Sequence, residues 1–277
     1  MCGEYLQVCS NPCTRRRIKT RNGKGRLLWQ SIHPFQDSRY TEGMKPADHL
    51  IVALDFPNRT QALDMVERLN GQIRWFKVGL ELYLAEGLSI VEAIRARGHE
   101  VFLDLKLHDI PNTVAGAVRS AAASGAGLLT LHASGGPAML AAARRAADEL
   151  DYAPRLLAVT VLTSMDKHQL TATGIDASPA SQVLLLGEMA TAAGIDGLVC
   201  SPEEVGILRV SKAKDALLVV PGIRPADTTL ADDQSRIATP GDAIRRGASM
   251  LVVGRPITKA ADPAAAAAAI LKEIETA

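Results

Sequence analysis

The stretch DLKLHDIPNT, residues 104–113, sets two carboxylates, an ammonium and an imidazole directly after the apolar run Val101-Phe102-Leu103. Side chains alternate faces along a strand. Phe102, Asp104 and Lys106 therefore share one face, and Val101, Leu103, Leu105 and Leu107 share the other. The apolar face suits packing against helices, so the charged face has to look toward a mouth or cleft. A positioned ammonium can stabilise a developing carbanion and then protonate it. The plain alternative is a buried salt bridge, a weak stabiliser that apolar groups often replace without loss. A second lysine, Lys77 in WFKVG, also sits inside an apolar run, where an unpaired ammonium is costly. Several charges converging on one face favour chemistry over packing.

Other apolar runs end in polar groups of the same kind. LIVALD ends in Asp55, readable as a ligand-binding carboxylate or as the cap of a following helix. LLTLHA carries His132 with the parity of Leu128 and Thr130, and both a catalytic and a structural role are open to it. The SGG after it is a weak phosphate-loop signal and serves equally as a turn into a helix. Thr163 and Ser164 close RLLAVTVLT and its next residue, and can hydrogen-bond a polar ligand. PGIRP puts Arg224 on a loop. In LVVGRPITKA, Gly254 allows close backbone approach and Arg255 supplies a cationic fork.

The runs that carry these residues recur from residue 49 onward. The expected strands are 50–55, 75–79, 101–106, 128–133, 155–163, 197–201, 216–222 and 250–254, with helix-like segments between them. RTQALDMVERLN is amphipathic, and NTVAGAVRSAAASG has an N-cap candidate in Asn112 and a stop in Gly125. Eight strands alternating with helices predict a parallel α/β sheet, and the length fits a closed (β/α)8 TIM barrel. A doubly wound open sheet is the competing arrangement, because periodicity does not prove closure. In a barrel, function gathers at the C-terminal strand ends, and the loops after the last two strands often hold phosphate. Arg224 and Arg255 fall there.

Composition narrows the class. The 277 residues carry a formal charge of +1, which disfavours a dedicated nucleic-acid binder. The leader 1–43 is different. Its eight basic residues (Arg15, Arg16, Arg17, Lys19, Arg21, Lys24, Arg26, Arg39) face three acidic ones (Glu4, Asp37, Glu42), so it carries +5 and the remainder −4. Without sustained periodicity it reads as a disordered leader, or as sequence upstream of a start at Met44, ahead of a barrel domain 44–277. Beyond the leader the only cysteine is Cys200, which suits a reducing cytoplasm. No stretch reads as a membrane span or a secretory signal.

Taken in order, IVALD, FKVGLELY, FLDLKLHDIPNT, LHASGG, VLTS, PGIRP…DDQSRIATP and VVGRPITKA closely resemble the orotidine 5′-phosphate decarboxylases, the bacterial type in particular. The resemblance covers about residues 48–265. It implies a barrel homodimer with shared active sites that converts orotidine 5′-phosphate to UMP and CO2 without metal or organic cofactor. By the same resemblance Lys106 donates the proton, and Asp104 sits beside the substrate carboxylate. Lys77 and Asp109 complete a charge network, with Asp109 reaching across the dimer. Asp55, Lys77 and the neighbouring subunit's copy of Thr113 contact ribose hydroxyls, and Thr163 lies near the pyrimidine. Arg224, Gln234, Gly254 and Arg255 hold the phosphate, with the loop around Gln234 closing over it. Metal-dependent sugar-phosphate decarboxylases and aldolases share the D-x-K-x-x-D spacing, but the IPNT extension and the DDQ…ATP segment favour the orotidine type. A non-catalytic phosphate-ligand barrel has no need of repelling charges, and a nucleic-acid role for the basic leader is a remaining minor reading.

Overall fold

Short β-branched and leucine-rich runs that are apolar on both faces can be satisfied only by a sheet covered on both sides. The computed structural model of the chain resolves that demand by closing the sheet. It describes 17–21, 27–31, 45–69, 71–225 and 237–277, and divides into two compact units, Met1–Gly43 and Met44–Ala277.

In the first unit, β1 (Arg17–Arg21) pairs antiparallel with β2 (Leu27–Ser31). Each strand is only five residues long, too short a pattern to register as sustained periodicity.

In the second unit eight parallel strands form a closed barrel: β3 (Leu50–Ala53), β4 (Trp75–Gly79), β5 (Glu100–Leu107), β6 (Leu128–His132), β7 (Arg155–Val159), β8 (Gly197–Val199), β9 (Leu217–Val220) and β10 (Met250–Val253). β10 pairs with both β9 and β3, which excludes the open doubly wound sheet. All eight expected strands are present, and several end earlier than their apolar runs. The largest trimming is at β7, which stops at Val159. Thr160 leaves the ladder while its N–H and hydroxyl both bond the Val199 carbonyl.

Alternation divides the apolar residues into two cores. Ile51, Trp75, Phe102, Leu128, Leu157, Leu217 and Met250 fill the barrel interior. Their sequence neighbours, such as Leu50, Phe76, Val101, Leu129 and Leu218, pack outward against the helices. Above the interior layer, two residues further along β4, β5 and β6, come Lys77, Asp104 and Thr130. On these three strands the apolar filling gives way to polar groups at this level, while Ala53, Val219 and Val252 keep it apolar on β3, β9 and β10.

Helix starts follow local chemistry. Asn58 caps the helix Arg59–Arg68 through a bond from the Gln61 N–H to its side chain, so Asp55 is released from the capping role the sequence allowed it. Asn112 is not a cap. Pro111 takes the first helical position, where its fixed φ and missing N–H cost nothing, and the N-cap is Ile110. The same helix ends at Ala123, ahead of Gly125 with φ +76°, as expected. No helix among the described residues is long and apolar enough to cross a membrane.

Gly197 opens β8 because its neighbours leave no room. A Cβ there would lie 2.5 Å from the Leu217 carbonyl oxygen and 2.7 Å from Leu157 Cδ2. Gly197→Ala is expected to destabilise the barrel by about 1–3 kcal/mol, the usual penalty of overpacking. Thermal unfolding should register that as a loss of several degrees. A midpoint within about 1 °C of the parent would contradict this packing account.

Candidate active site

The strand ends converge on a cavity of about 280 Å³ at the C-terminal mouth of the barrel. It is lined by Asp55, Lys77, Asp104 and Lys106 on one side and by Arg224 and Arg255 on another. Thr163 and Gly254 also line it, and Val159, Val161 and Val199 add an apolar wall.

The charged side is a chain of contacts. Lys106 Nζ donates to Asp104 Oδ2 at 2.8 Å. Lys77 Nζ lies 3.7 Å from the same oxygen and donates to Asp55 Oδ1 at 3.0 Å. The other carboxylate oxygen of Asp104, Oδ1, accepts from the Thr130 hydroxyl at 2.9 Å. Gly79 keeps the space open, since a Cβ there would stand 2.9 Å from Lys77 Nζ. The side chains of Asp104 and Lys77 are each 12% exposed, whereas that of Lys106 is 31% exposed. Of the two lysines, Lys106 is therefore the more open to a ligand.

Burial pushes the Asp104 carboxyl up, but Lys77 and Lys106 counter it, with hydrogen bonds from Lys106 and Thr130 adding to their effect. The net result holds Asp104 below the ordinary carboxylate value of 3.8, so it is ionised throughout the neutral range.

The backbone bends to make this cluster. β5 follows β6 in register at Phe102↔Leu128 and Leu103↔Leu129, then shifts so that Leu107 meets Leu131. Residues 104–106 are thus three residues opposite Thr130 alone. Lys106 has φ +52°, the one non-glycine residue with positive φ among those described. That conformation costs an L-residue on the order of 1–2 kcal/mol.

The cationic side comes from the loops after β9 and β10. Arg224 is placed by a paired neck. Ile223 bridges Ala238, the Arg224 N–H bonds the Ala238 carbonyl, and the Ala238 N–H bonds the Gly222 carbonyl. Gln234 lies outside the described residues. Gly254 is not forced by protein packing, for an added Cβ would meet Ala53 Cβ at 3.5 Å and Asp55 Oδ2 at 3.6 Å, both ordinary contacts. Its value is the open backbone it presents to the cavity.

Two expected site residues stand apart. Asp109 is exposed on the loop after β5, where its Oδ1 accepts from the Ile110 N–H, and Thr113 is exposed in the first turn of the next helix. Neither lines the cavity within one chain. The SGG turn forms the short 3₁₀ segment Ala133–Gly135 leading into the helix Gly136–Asp148 and is also absent from the lining. His132 packs against His108 with ring centroids 5.6 Å apart. Thr130 is the residue that sequence reasoning passed over. A hydroxyl inside LLTLH was its visible signal, but threonine is an ordinary strand former. Among the described residues no three His, Cys, Asp or Glu side chains gather as a metal-holding group.

A closed parallel (β/α)8 barrel with charged groups from several strand ends around one mouth defines a barrel enzyme. Residues 48–270 match the orotidine 5′-phosphate decarboxylase / HUMPS family, and the chain belongs to it. The orotidine 5′-phosphate decarboxylase of Anaeromyxobacter sp. (strain K) is 52% identical over 227 residues, covering 82% of this chain and 98% of that protein. That of Gluconobacter oxydans is 50% identical over 238 residues, covering 84% of this chain and all of its own. The crystal structure of orotidine 5′-phosphate decarboxylase from Lactobacillus acidophilus superposes with a TM-score of 0.72 at 40% identity, covering 81% of this chain and 98% of that one.

His132 offers a test of the local electrostatics. Burial lowers its pKa below 6.5, as do the nearby His108 and Lys106, and Asp104 opposes them. The unfolded chain therefore takes up this proton first as pH falls. The stability His132 contributes is complete above its unfolded pKa and is lost as pH falls through the folded one. Between about pH 7 and 5 the melting temperature of the parent should drop more steeply than that of His132→Asn. Parallel curves would refute the assignment.

Proposed function

We propose that this chain decarboxylates orotidine 5′-phosphate to UMP and CO2, with Lys106 as the proton donor at the ring carbon that loses the carboxylate. The observation that carries the reading is the Lys77–Asp104–Lys106 cluster facing a cavity whose other side is Arg224 and Arg255. One end suits a ring carboxylate, and the other suits a phosphate. Family membership supports the same substrate.

Departure of CO2 leaves a carbanion with little resonance help. The Lys106 ammonium stabilises that charge as it forms and then delivers its proton to the carbon. Lysine suits this better than arginine, which does not readily release a proton. Preorganised charge of this kind is usually the largest catalytic contribution.

Asp104 has two effects. It keeps Lys106 protonated and aimed, and it stands against the incoming carboxylate. Two like charges ~4 Å apart repel by roughly 4 kcal/mol at an effective dielectric of ~20. The repulsion disappears as the group leaves as neutral CO2. Binding at the remote phosphate, by Arg224, Arg255 and the Gly254 backbone, offsets it in the ground state. Gln234 joins this phosphate group. Asp55 and Lys77 bind the ribose hydroxyls, and Thr163 lies beside the pyrimidine.

Asp109 and Thr113 act from a second copy of the chain. Their exposure beside the 67%-exposed Ile110 supports that role.

Decarboxylation is followed by the loss of orotidine 5′-phosphate absorbance, with EDTA present throughout. The parent should turn over unchanged by EDTA, and loss of activity would shift the reading to a metal-dependent sugar-phosphate chemistry. Lys106→Ala should abolish turnover yet still bind UMP, and retained decarboxylation would overturn its role. Arg255→Ala should lower kcat/KM by about 10-fold or more, the value of a charged hydrogen-bond partner. A change under about threefold would remove Arg255 from phosphate binding.

A further inference from the structure

We infer that Thr130 is a positioning residue for the reaction, a buried clamp that fixes Asp104 and Lys106 relative to one another. The inference rests on the decarboxylase reading for its kinetic consequence, but its structural basis is independent of it.

Thr130 is fully buried, one inward-facing position above Leu128 on β6. Its hydroxyl has one proton to give and lone pairs to receive. The proton goes to Asp104 Oδ1 at 2.9 Å, and the oxygen accepts the Lys106 backbone N–H at 2.9 Å. Both ends of the irregular segment 104–106 thus meet on one oxygen atom.

Two consequences follow from this geometry. First, the carboxylate is divided. Oδ1 is held by a neutral donor, which leaves Oδ2 to face Lys106 at 2.8 Å and Lys77 at 3.7 Å. Without the Thr130 proton, nothing in this arrangement stops the carboxylate from rotating and sharing both oxygens with the ammoniums. Second, Lys106 holds φ +52° in a segment with no glycine. Its N–H has left the β6 ladder, and the Thr130 hydroxyl receives it instead. A satisfied core hydroxyl would serve packing with any nearby carbonyl as partner. This one is bonded on both sides to the pair of residues placed at the chemistry.

The test compares Thr130→Val, which keeps the shape and removes the hydroxyl, with Thr130→Ser, which keeps the hydroxyl. Thr130→Val should lower kcat by about 10- to 100-fold, as expected when a reacting group is misplaced by a fraction of an ångström to an ångström. KM and UMP affinity should stay within about threefold, because the phosphate side is untouched. Thr130→Ser should restore kcat to within about threefold of the parent. A purely structural threonine would lower the melting temperature and leave kcat alone. Should Thr130→Val not fold, Thr130→Cys, of similar size with only a weak donor, becomes the deciding variant. A kcat within about twofold of the parent in the hydroxyl-free variant, or a loss that serine does not restore, overturns the inference. The crystal structure of the deciding variant provides an arm that does not depend on the reaction. Lys106 should leave positive φ there, and an unchanged segment 104–106 also overturns the clamp. An inactive parent would sink the decarboxylase reading alone and leave this structural arm standing.

Discussion

A carboxylate buried between two ammoniums is the constraint around which this barrel is organised. Asp104 sits where the interior would otherwise be apolar, and an isolated charge there would be neutralised rather than tolerated. Lys77, Lys106 and Thr130 make it sustainable as an anion. Lys77 and Thr130 come from positions fixed by strand alternation, two residues beyond Trp75 and Leu128, and Lys106 comes from the irregular end of β5. The same closure that buries Trp75, Phe102 and Leu128 therefore lifts a charged layer to the mouth without any loop having to find it.

The site then divides by strand. The early strands carry the anion–cation cluster, and the last two carry the cationic loops with Arg224 and Arg255. On the β7–β8 side the wall is aliphatic, whereas at the β10–β3 seam the two groups are neighbours, with Gly254 next to Asp55. In the proposed reaction this arrangement assigns affinity and stress to different groups. A phosphate can be held by groups that take no part in the chemistry, and the resulting binding energy can hold a second anionic group against Asp104. A single mixed cluster could not do this, since the same cations would serve both anions equally.

Much of this was readable in the sequence because it is carried by period. The eight runs, the shared face of Asp104 and Lys106, and the placement of Arg224 and Arg255 after the last strands all follow from alternation and barrel logic. What escaped was carried by competition between local groups. Asp55 and Asn58 are both cap formers, and only the fold shows that Asn58 caps while Asp55 pairs with Lys77. Asn112 lost the cap to the stronger preference of Pro111 for the first helical position. The positive φ of Lys106 had no sequence signal, because the usual marker is glycine and the segment contains none.

The irregularity in β5 also explains why the parity reading worked at all. Before it, partners on β5 and β6 differ by 26 in number, and after it by 24, so two extra residues are taken up on β5. An odd insertion would have turned Leu107 inward and placed it in the charged layer. An even one returns Leu107 to the outward face, where it packs against the same core as Leu103 and Leu131. Regular strand spacing would put residues 104 and 106 about 6.6 Å apart along the chain, opposite different partners. Here both turn to the single hydroxyl of Thr130. The outer leucines set the number of inserted residues, and Thr130 sets their shape. A sequence that satisfies only the first condition would still fold into this barrel, but its lysine and aspartate would not be held in one place.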